Sequence, residues 1–250
     1  NTNLPNISAG HQDSDPATLA LVGIASLATG EIETGEQLIE KSLELNPDNN
    51  NLRLRYANYH ALQGDPARAI RLSEDAVERE PSSNTAWQML IRSHLAAEDQ
   101  ESAIQTANRW LENAPNSTQA LVTRGNIALQ AQNTEQAKQF FQQAIDADPQ
   151  SAAPLLAMGR VEQSLGNEEQ ARNYFIKAAR LAPDNRQALQ ELASVMTRED
   201  MKPLMRDIRE NNPEAIGPRL ILLESALIEN EKNLADELTA GLIEREDPNT

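Results

Sequence analysis

Five prolines recur at one interval: Pro47, Pro81, Pro115, Pro149 and Pro183 are each 34 residues apart. A fixed period demands that one local structure be built again and again, so it limits the fold more than any composition statistic. Proline lacks the N–H that a helix interior needs, and its ring collides with the preceding turn, so each one marks the end of a helix. The junctions read NPDN, EPSSN, APNS, DPQS and APDN. The Asp, Ser or Asn after each proline can accept hydrogen bonds from the free N–H groups that open the next helix.

The slots between the prolines repeat as well. With each proline counted as position 32, position 8 holds Gly23, Ala57, Ile91, Gly125 and Gly159, and position 20 holds Gly35, Ala69, Ala103, Ala137 and Ala171. Small residues at both points let two antiparallel helices approach closely. Position 24 carries Ile39, Ser73, Ala107, Phe141 and Phe175, and position 27 carries Ser42, Ala76, Trp110, Ala144 and Ala178. Steps of three and four residues are those of one buried helix face. Aromatic residues make up only 3% of the chain, which suits a fold that buries apolar surface in many small increments rather than around one large core.

These residues resemble the tetratricopeptide repeat (TPR), a helix–turn–helix unit. The stretch 50–83 places Tyr56, Ala57, Gly64, Asp65, Ala69, Ala76 and Pro81 in the slots the family favours. Two departures stand out: Trp87 alone keeps the early tryptophan, and Arg124 sits where leucine is usual. The resemblance implies an all-α fold, a right-handed α-solenoid of about seven stacked antiparallel helix pairs. The expected divisions are a polar lead-in at 1–15, pairs at 16–49, 50–83, 84–117, 118–151 and 152–185, a shortened pair at 186–215 and a degenerate pair at 216–250. Pro213 follows Pro183 by only 30 residues, so the sixth pair is four residues short, and its second helix is expected to begin near Met201 after a clipped turn. Asp247–Thr250 read as one more junction, and the chain opens on Asn, so a longer parent protein is expected.

In TPR proteins the first helices of successive pairs line a concave groove through positions 2, 5, 6, 9, 12 and 13. The resemblance therefore assigns a groove role to the position-9 ladder Asn58, Arg92, Asn126 and Arg160. Nearby positions add Arg55, Gln88, Gln119, Gln163, Gln187 and Gln190. Amide side chains pair with an extended backbone, and arginine offers a planar fork to carboxylates. The expected partner is a protein or peptide that lays an extended polar or acidic segment in the groove. The carboxylate clamp of chaperone-binding members is not expected. Over the three units that open at Asn50, only Asn58 fits its pattern, and Leu54, Met89, Gln119 and Thr123 fill the other slots.

Composition excludes several other functions. A net charge of −16 opposes a phosphate backbone, so no nucleic-acid partner is expected. Without cysteine there are no disulfides, thiol nucleophiles or thiolate metal sites. No apolar run is long enough to span a bilayer. His60 and His94 share position 11, a packing slot, and His11 lies alone in the lead-in, so neither a catalytic triad nor a paired-histidine metal site is expected. Phe140 and Tyr174 lie 34 apart outside the strongest core slots and read as repeat-edge packing, with a convex patch as the alternative. No catalytic residue, cofactor or metal is expected. Charge is also uneven: residues 1–47 hold seven acids and one base, and residues 214–250 hold nine acids and three bases.

A narrower resemblance comes from residues 212–249. Asn212, Pro213, Ala215, Pro218, Arg219 and Leu220 are similar to the NP-x-A-x-x-PRL opening of repeats in the long TPR lipoproteins of bacterial exopolysaccharide/PEP-CTERM systems. That likeness implies a cell-envelope or periplasmic protein, with a cytoplasmic one as the alternative, and a scaffold for polysaccharide export or surface-protein sorting. Two rival readings are a homo-oligomeric platform whose end pairs dock into neighbouring grooves, and the regulatory arm of an enzyme encoded beyond this stretch.

Overall fold

The computed structural model describes residues 15–243, so most of the lead-in, His11 and the expected junction at 247–250 lie outside the described residues. Helices account for all the regular structure there. They are α1 (Pro16–Thr29), α2 (Ile32–Leu45), α3 (Asn50–Leu62), α4 (Pro66–Arg79), α5 (Asn84–Ala96), α6 (Gln100–Asn113) and α7 (Thr118–Gln130). The rest are α8 (Thr134–Ala147), α9 (Ala152–Ser164), α10 (Glu168–Leu181), α11 (Arg186–Val195), α12 (Arg198–Asn211), α13 (Gly217–Ile228) and α14 (Lys232–Ile243). No strand occurs among the described residues. The chain divides after Pro115 into two compact units, α1–α6 and α7–α14. In each unit the helices pack in sequence-adjacent pairs, except that α11 and α12 make little close contact, and every pair stacks on the next.

The junction residues act as the sequence suggests. Asn49, Ser83, Ser117 and Asn185 occupy the N-cap positions of α3, α5, α7 and α11 and accept bonds from backbone N–H groups in the first turn. Ser151 caps α9 without such a side-chain bond. Between the two helices of a pair the chain reverses through a left-handed residue at position 15. Glycine fills it at Gly30, Gly64 and Gly166, while Glu98, Gln132 and Asn230 adopt the same conformation at φ 58°, 57° and 60°.

In four of the first five pairs, residue volume is traded between positions 8 and 24, the second pair having the small Ala57 and Ser73 at both. In the second unit Phe141 and Phe175 are fully buried, and a Cβ on Gly125 or Gly159 would stand 2.4 Å from the facing ring. In the first unit Gly23 faces Ile39, where a Cβ would come within 2.8 Å. Ile91 and Ala107, both buried, reverse the sizes. The space between two helices is close to constant, so a large residue at one slot requires a small one at the other.

The sixth pair departs from this scheme. Helix α11 has 10 residues where α3, α5, α7 and α9 have 13, and no left-handed residue precedes α12. Helix α12 starts at Arg198, three residues before the Met201 expected from the sequence. Thr197 caps it, accepting from the Asp200 N–H at 3.2 Å and donating to the Asp200 carboxylate at 2.7 Å. Helix α13 begins with no side-chain cap of its own. Asp184 takes that role from the previous junction: its Oδ1 accepts from the N–H groups of Ile216 and Gly217, both at 2.7 Å. Gly217 is needed there, since a Cβ would lie 2.3 Å from the Pro183 carbonyl oxygen.

Candidate interaction groove

Helix α3 is held by a polar network on its inner side. Arg53, almost fully buried, donates to the Asn50 amide oxygen at 2.7 Å and the Pro47 carbonyl at 2.6 Å, and it pairs with Asp75 at 2.5 Å. Burial pulls its guanidinium pKa below the ordinary value, against the pull of Asp75. Further along, Arg68 of α4 bridges Glu36 at 3.0 Å, Glu40 and the Tyr56 hydroxyl at 2.8 Å. Burial raises the Tyr56 pKa and lowers that of His60, and the Arg68 charge lowers His60 further. These contacts lock α3 between α2 and α4 and set the direction of its opposite face.

That face meets α5 across a hollow of about 330 Å³. Asn51, Leu54, Arg55 and Asn58 line it from α3, and Thr85, Met89 and Arg92 from α5. Three of the residues predicted for the groove, Arg55, Asn58 and Arg92, are thus brought together. Arg55 and Arg92 are exposed, and among the described residues no carboxylate lies within ion-pair distance of either. A second hollow of about 370 Å³ adjoins the first, shares Arg55 and is walled by Ile24, Leu27 and Tyr59. Gln88 is half-buried on α5 and lies outside both hollows.

The remaining predicted residues sit in the second unit and behave differently. Gln119 and Asn126 are exposed on α7. Arg160 is already engaged: its Nε donates to Glu191 at 2.6 Å and its Nη2 lies 2.5 Å from the same carboxylate. Gln163 donates to the Ser194 hydroxyl at 3.2 Å. Gln187 is exposed at the start of α11, and Gln190 lines a separate cleft with Leu189. The position-9 ladder is therefore not one uniform surface; α11 satisfies its last rung internally.

Several lining residues went unselected in the sequence, namely Asn51, Leu54, Thr85 and Met89. All occupy groove positions 2, 5 or 6, so their register would have found them. Arg124, buried in place of the usual leucine, stacks its guanidinium 5.0 Å from the Phe140 ring centre, and burial lowers its pKa. Phe140 and Tyr174 are half-buried, and Tyr174 packs on the core around Phe175. At position 11 of the fifth pair, buried Glu162 accepts from Lys138 and Asn167 at 2.6 and 2.7 Å. Its own burial would raise its pKa, but these partners outweigh that and hold it below the ordinary value. Among the described residues there is no cluster of three or more potential metal ligands, and no helix is long and apolar enough to cross a membrane.

Two models described as tetratricopeptide repeat match residues 57–118 and 128–196, together just over half of the sequence. The chain belongs to the tetratricopeptide-repeat family. Members of this family generally mediate protein–protein contacts and are typically non-catalytic scaffolds. No functionally curated protein matches the sequence. Among solved structures, a thermophilic TPR protein from Thermus thermophilus superposes with a TM-score of 0.54 at 18% identity, covering 72% of this chain and 98% of its own. A TPR protein from Parabacteroides merdae does so with a TM-score of 0.53 at 16% identity, covering 89% of this chain and 90% of its own. At such identities the likeness concerns the fold.

Proposed function

We propose that this TPR protein is a non-catalytic scaffold that captures an extended polar or acidic segment of a partner protein on the α3–α5 face of its first unit. One observation carries the reading: two exposed arginines, Arg55 and Arg92, share a hollow with Asn58 and have no carboxylate partner among the described residues, in a chain of net charge −16. Unpaired guanidinium forks in so acidic a protein favour a ligand that brings its own carboxylates, while Asn58 can pair with a peptide amide. The adjoining hollow at Tyr59 and Leu27 offers an apolar seat beside the charged one.

Selection from a displayed random-peptide library against the whole chain tests this. Acidic or amide-rich sequences are expected to enrich and to bind the Arg55→Glu/Arg92→Glu variant at least tenfold more weakly, with helicity unchanged. Equal binding to that variant at low salt, where surface electrostatics are least screened, overturns the reading. We further propose a place in a bacterial exopolysaccharide-export or surface-protein-sorting assembly of the cell envelope, supported by the resemblance of residues 212–249. Fractionation of the native host with an antibody to this chain tests the compartment, and recovery in the cytosol alone counts against it.

A further inference from the structure

The arginine-bearing hollow between α3 and α5 has a neighbour on the other side of α3. There α1 and α3 enclose the hollow of about 370 Å³, and Arg55 borders both. The packing of the first pair accounts for it. Among the first five pairs only this one has glycine at both position 8 and position 20. A Cβ on Gly23 would stand 3.0 Å from the Gly35 carbonyl oxygen, and one on Gly35 2.9 Å from that of Gly23, so α1 lies backbone to backbone on α2. Helices α3 and α5 touch, but α1 and α3 hardly meet.

The lining of each hollow states what it can take. Half-buried Ile24, Leu27 and Tyr59 wall the hollow beside α1, backed by buried Ile39, Leu52 and Tyr56. The Tyr56 hydroxyl is already bonded to Arg68 at 2.8 Å, so it offers this hollow no free polar group. Neither lining contains a carboxylate, and the charged residues in the two together are Arg55 and Arg92. Helix α1 carries no charged residue. Its six groove positions, from Ala17 to Ala28, are all apolar, whereas each of the next four pairs places Asn or Arg at position 9.

These linings fix the occupant. A wholly acidic segment would leave the apolar hollow wet, and a wholly apolar one would leave both guanidinium forks unanswered. The two hollows flank one helix, so their centres lie about one interhelical spacing apart, roughly 8–10 Å. An extended chain covers that in about three residues at ~3.3 Å each.

We propose that the partner segment of this groove is bipartite: a large apolar side chain seats between α1 and α3, and a carboxylate about three residues along the segment pairs with Arg55 and Arg92. The inference rests on the reading of the groove given above and adds the apolar residue that selects among acidic segments.

The probes are three fluorescein-labelled peptides of about ten residues, titrated into the whole chain by fluorescence anisotropy. The first carries leucine three residues before an Asp-Glu-Asp run in a Gly/Ser background. The second has serine for the leucine, and the third has Asn-Gln-Asn for the acidic run. The leucine peptide is expected to bind the wild type saturably and at least tenfold more tightly than either of the others. Ala28→Trp and Gln63→Trp, at exposed positions that line the hollow, fill it. Both are expected to bind the leucine and serine peptides alike while still preferring the acidic run to the amide one. Leu45→Gln, 49% exposed and outside both hollows, is expected to keep the leucine preference. Circular dichroism establishes that each variant is folded. Equal binding of the leucine and serine peptides to the wild type, or a leucine preference that survives in both filled variants, overturns the apolar seat and leaves the groove reading standing. Equal binding of the acidic and amide peptides overturns the proposal as well. Binding of the leucine peptide that Arg55→Glu/Arg92→Glu leaves unchanged at low salt overturns the groove reading itself. A wild-type dimer in sedimentation equilibrium that Ala28→Trp dissociates assigns the hollow to a second copy and also overturns the proposal.

Discussion

Gly125→Ala probes the packing rule of the fold at its tightest point. The new methyl would lie 2.4, 2.7 and 2.9 Å from three carbons of the Phe141 ring, which is fully buried and has no solvent side to turn toward. Ordinary carbon contacts lie near 3.5–4.0 Å, so the ring or the helix must shift by about 1 Å. Overpacking of this kind costs about 1–3 kcal/mol. Replacing glycine by alanine inside a helix returns about 1 kcal/mol of backbone propensity. The net expectation is a loss of about 1 kcal/mol, so a midpoint lower by about 2–4 °C, whereas an unhindered helical site would gain stability. A double-mutant cycle identifies the cause. Phe141→Leu should be destabilising alone, yet Gly125→Ala/Phe141→Leu should be more stable than the sum of the single changes predicts, by about 1 kcal/mol. The third pair is a natural instance of that compensation, with buried Ile91 and Ala107 at the same two positions. Urea unfolding followed by circular dichroism at each corner of the cycle supplies the four free energies. A midpoint raised by Gly125→Ala, or strict additivity with Phe141→Leu, would refute the account of traded volume.

Three further outcomes follow from other contacts. Glu98 holds the left-handed turn position that Gly64 and Gly166 fill elsewhere, so Glu98→Gly should raise stability by about 1 kcal/mol through relief of side-chain strain; a lower melting temperature contradicts this. Burial and the Arg68 charge depress the His60 pKa, with Glu36 and Asp65 pulling the other way at 3.7 and 3.9 Å. The unfolded chain therefore binds a proton that the native state resists, and stability present above about pH 6.5 is lost as pH falls further; melting scans from pH 7 to 5 should show a slope that His60→Gln reduces. Glu162 is held ionised by Lys138 and Asn167, so its contribution is present above about pH 4.5 and lost as pH falls through its depressed value. Glu162→Gln should cost about 1–2 kcal/mol at pH 7 and progressively less as pH falls below about 4.5, and a cost that does not change with pH would exclude the ionic bond as its source.

Repetition made most of the architecture legible in the sequence. A helix end, a cap and a buried stripe are local properties, so the 34-residue spacing, the capping residues two places after the five prolines and the mostly small residues at positions 8 and 20 could each be read along the chain. The candidate site was legible only as a register. Arg92 and Arg160 occupy the same slot and look alike in sequence, yet Arg92 is exposed beside a hollow while Arg160 is tied to Glu191, 31 residues away. Whether a side chain is free depends on what the neighbouring helix places opposite it, and that helix lies a full repeat further on. The start of α12 was misplaced for a related reason: four missing residues reveal a shorter turn, but the Thr197–Asp200 cap decides where the helix resumes. The cleft lined by Gln190 is the strongest case. The sequence determined that the sixth pair is short, while only the tertiary structure decided the consequence, with Asp184 reaching across to cap α13 beside a cleft lined by apolar and charged side chains alike.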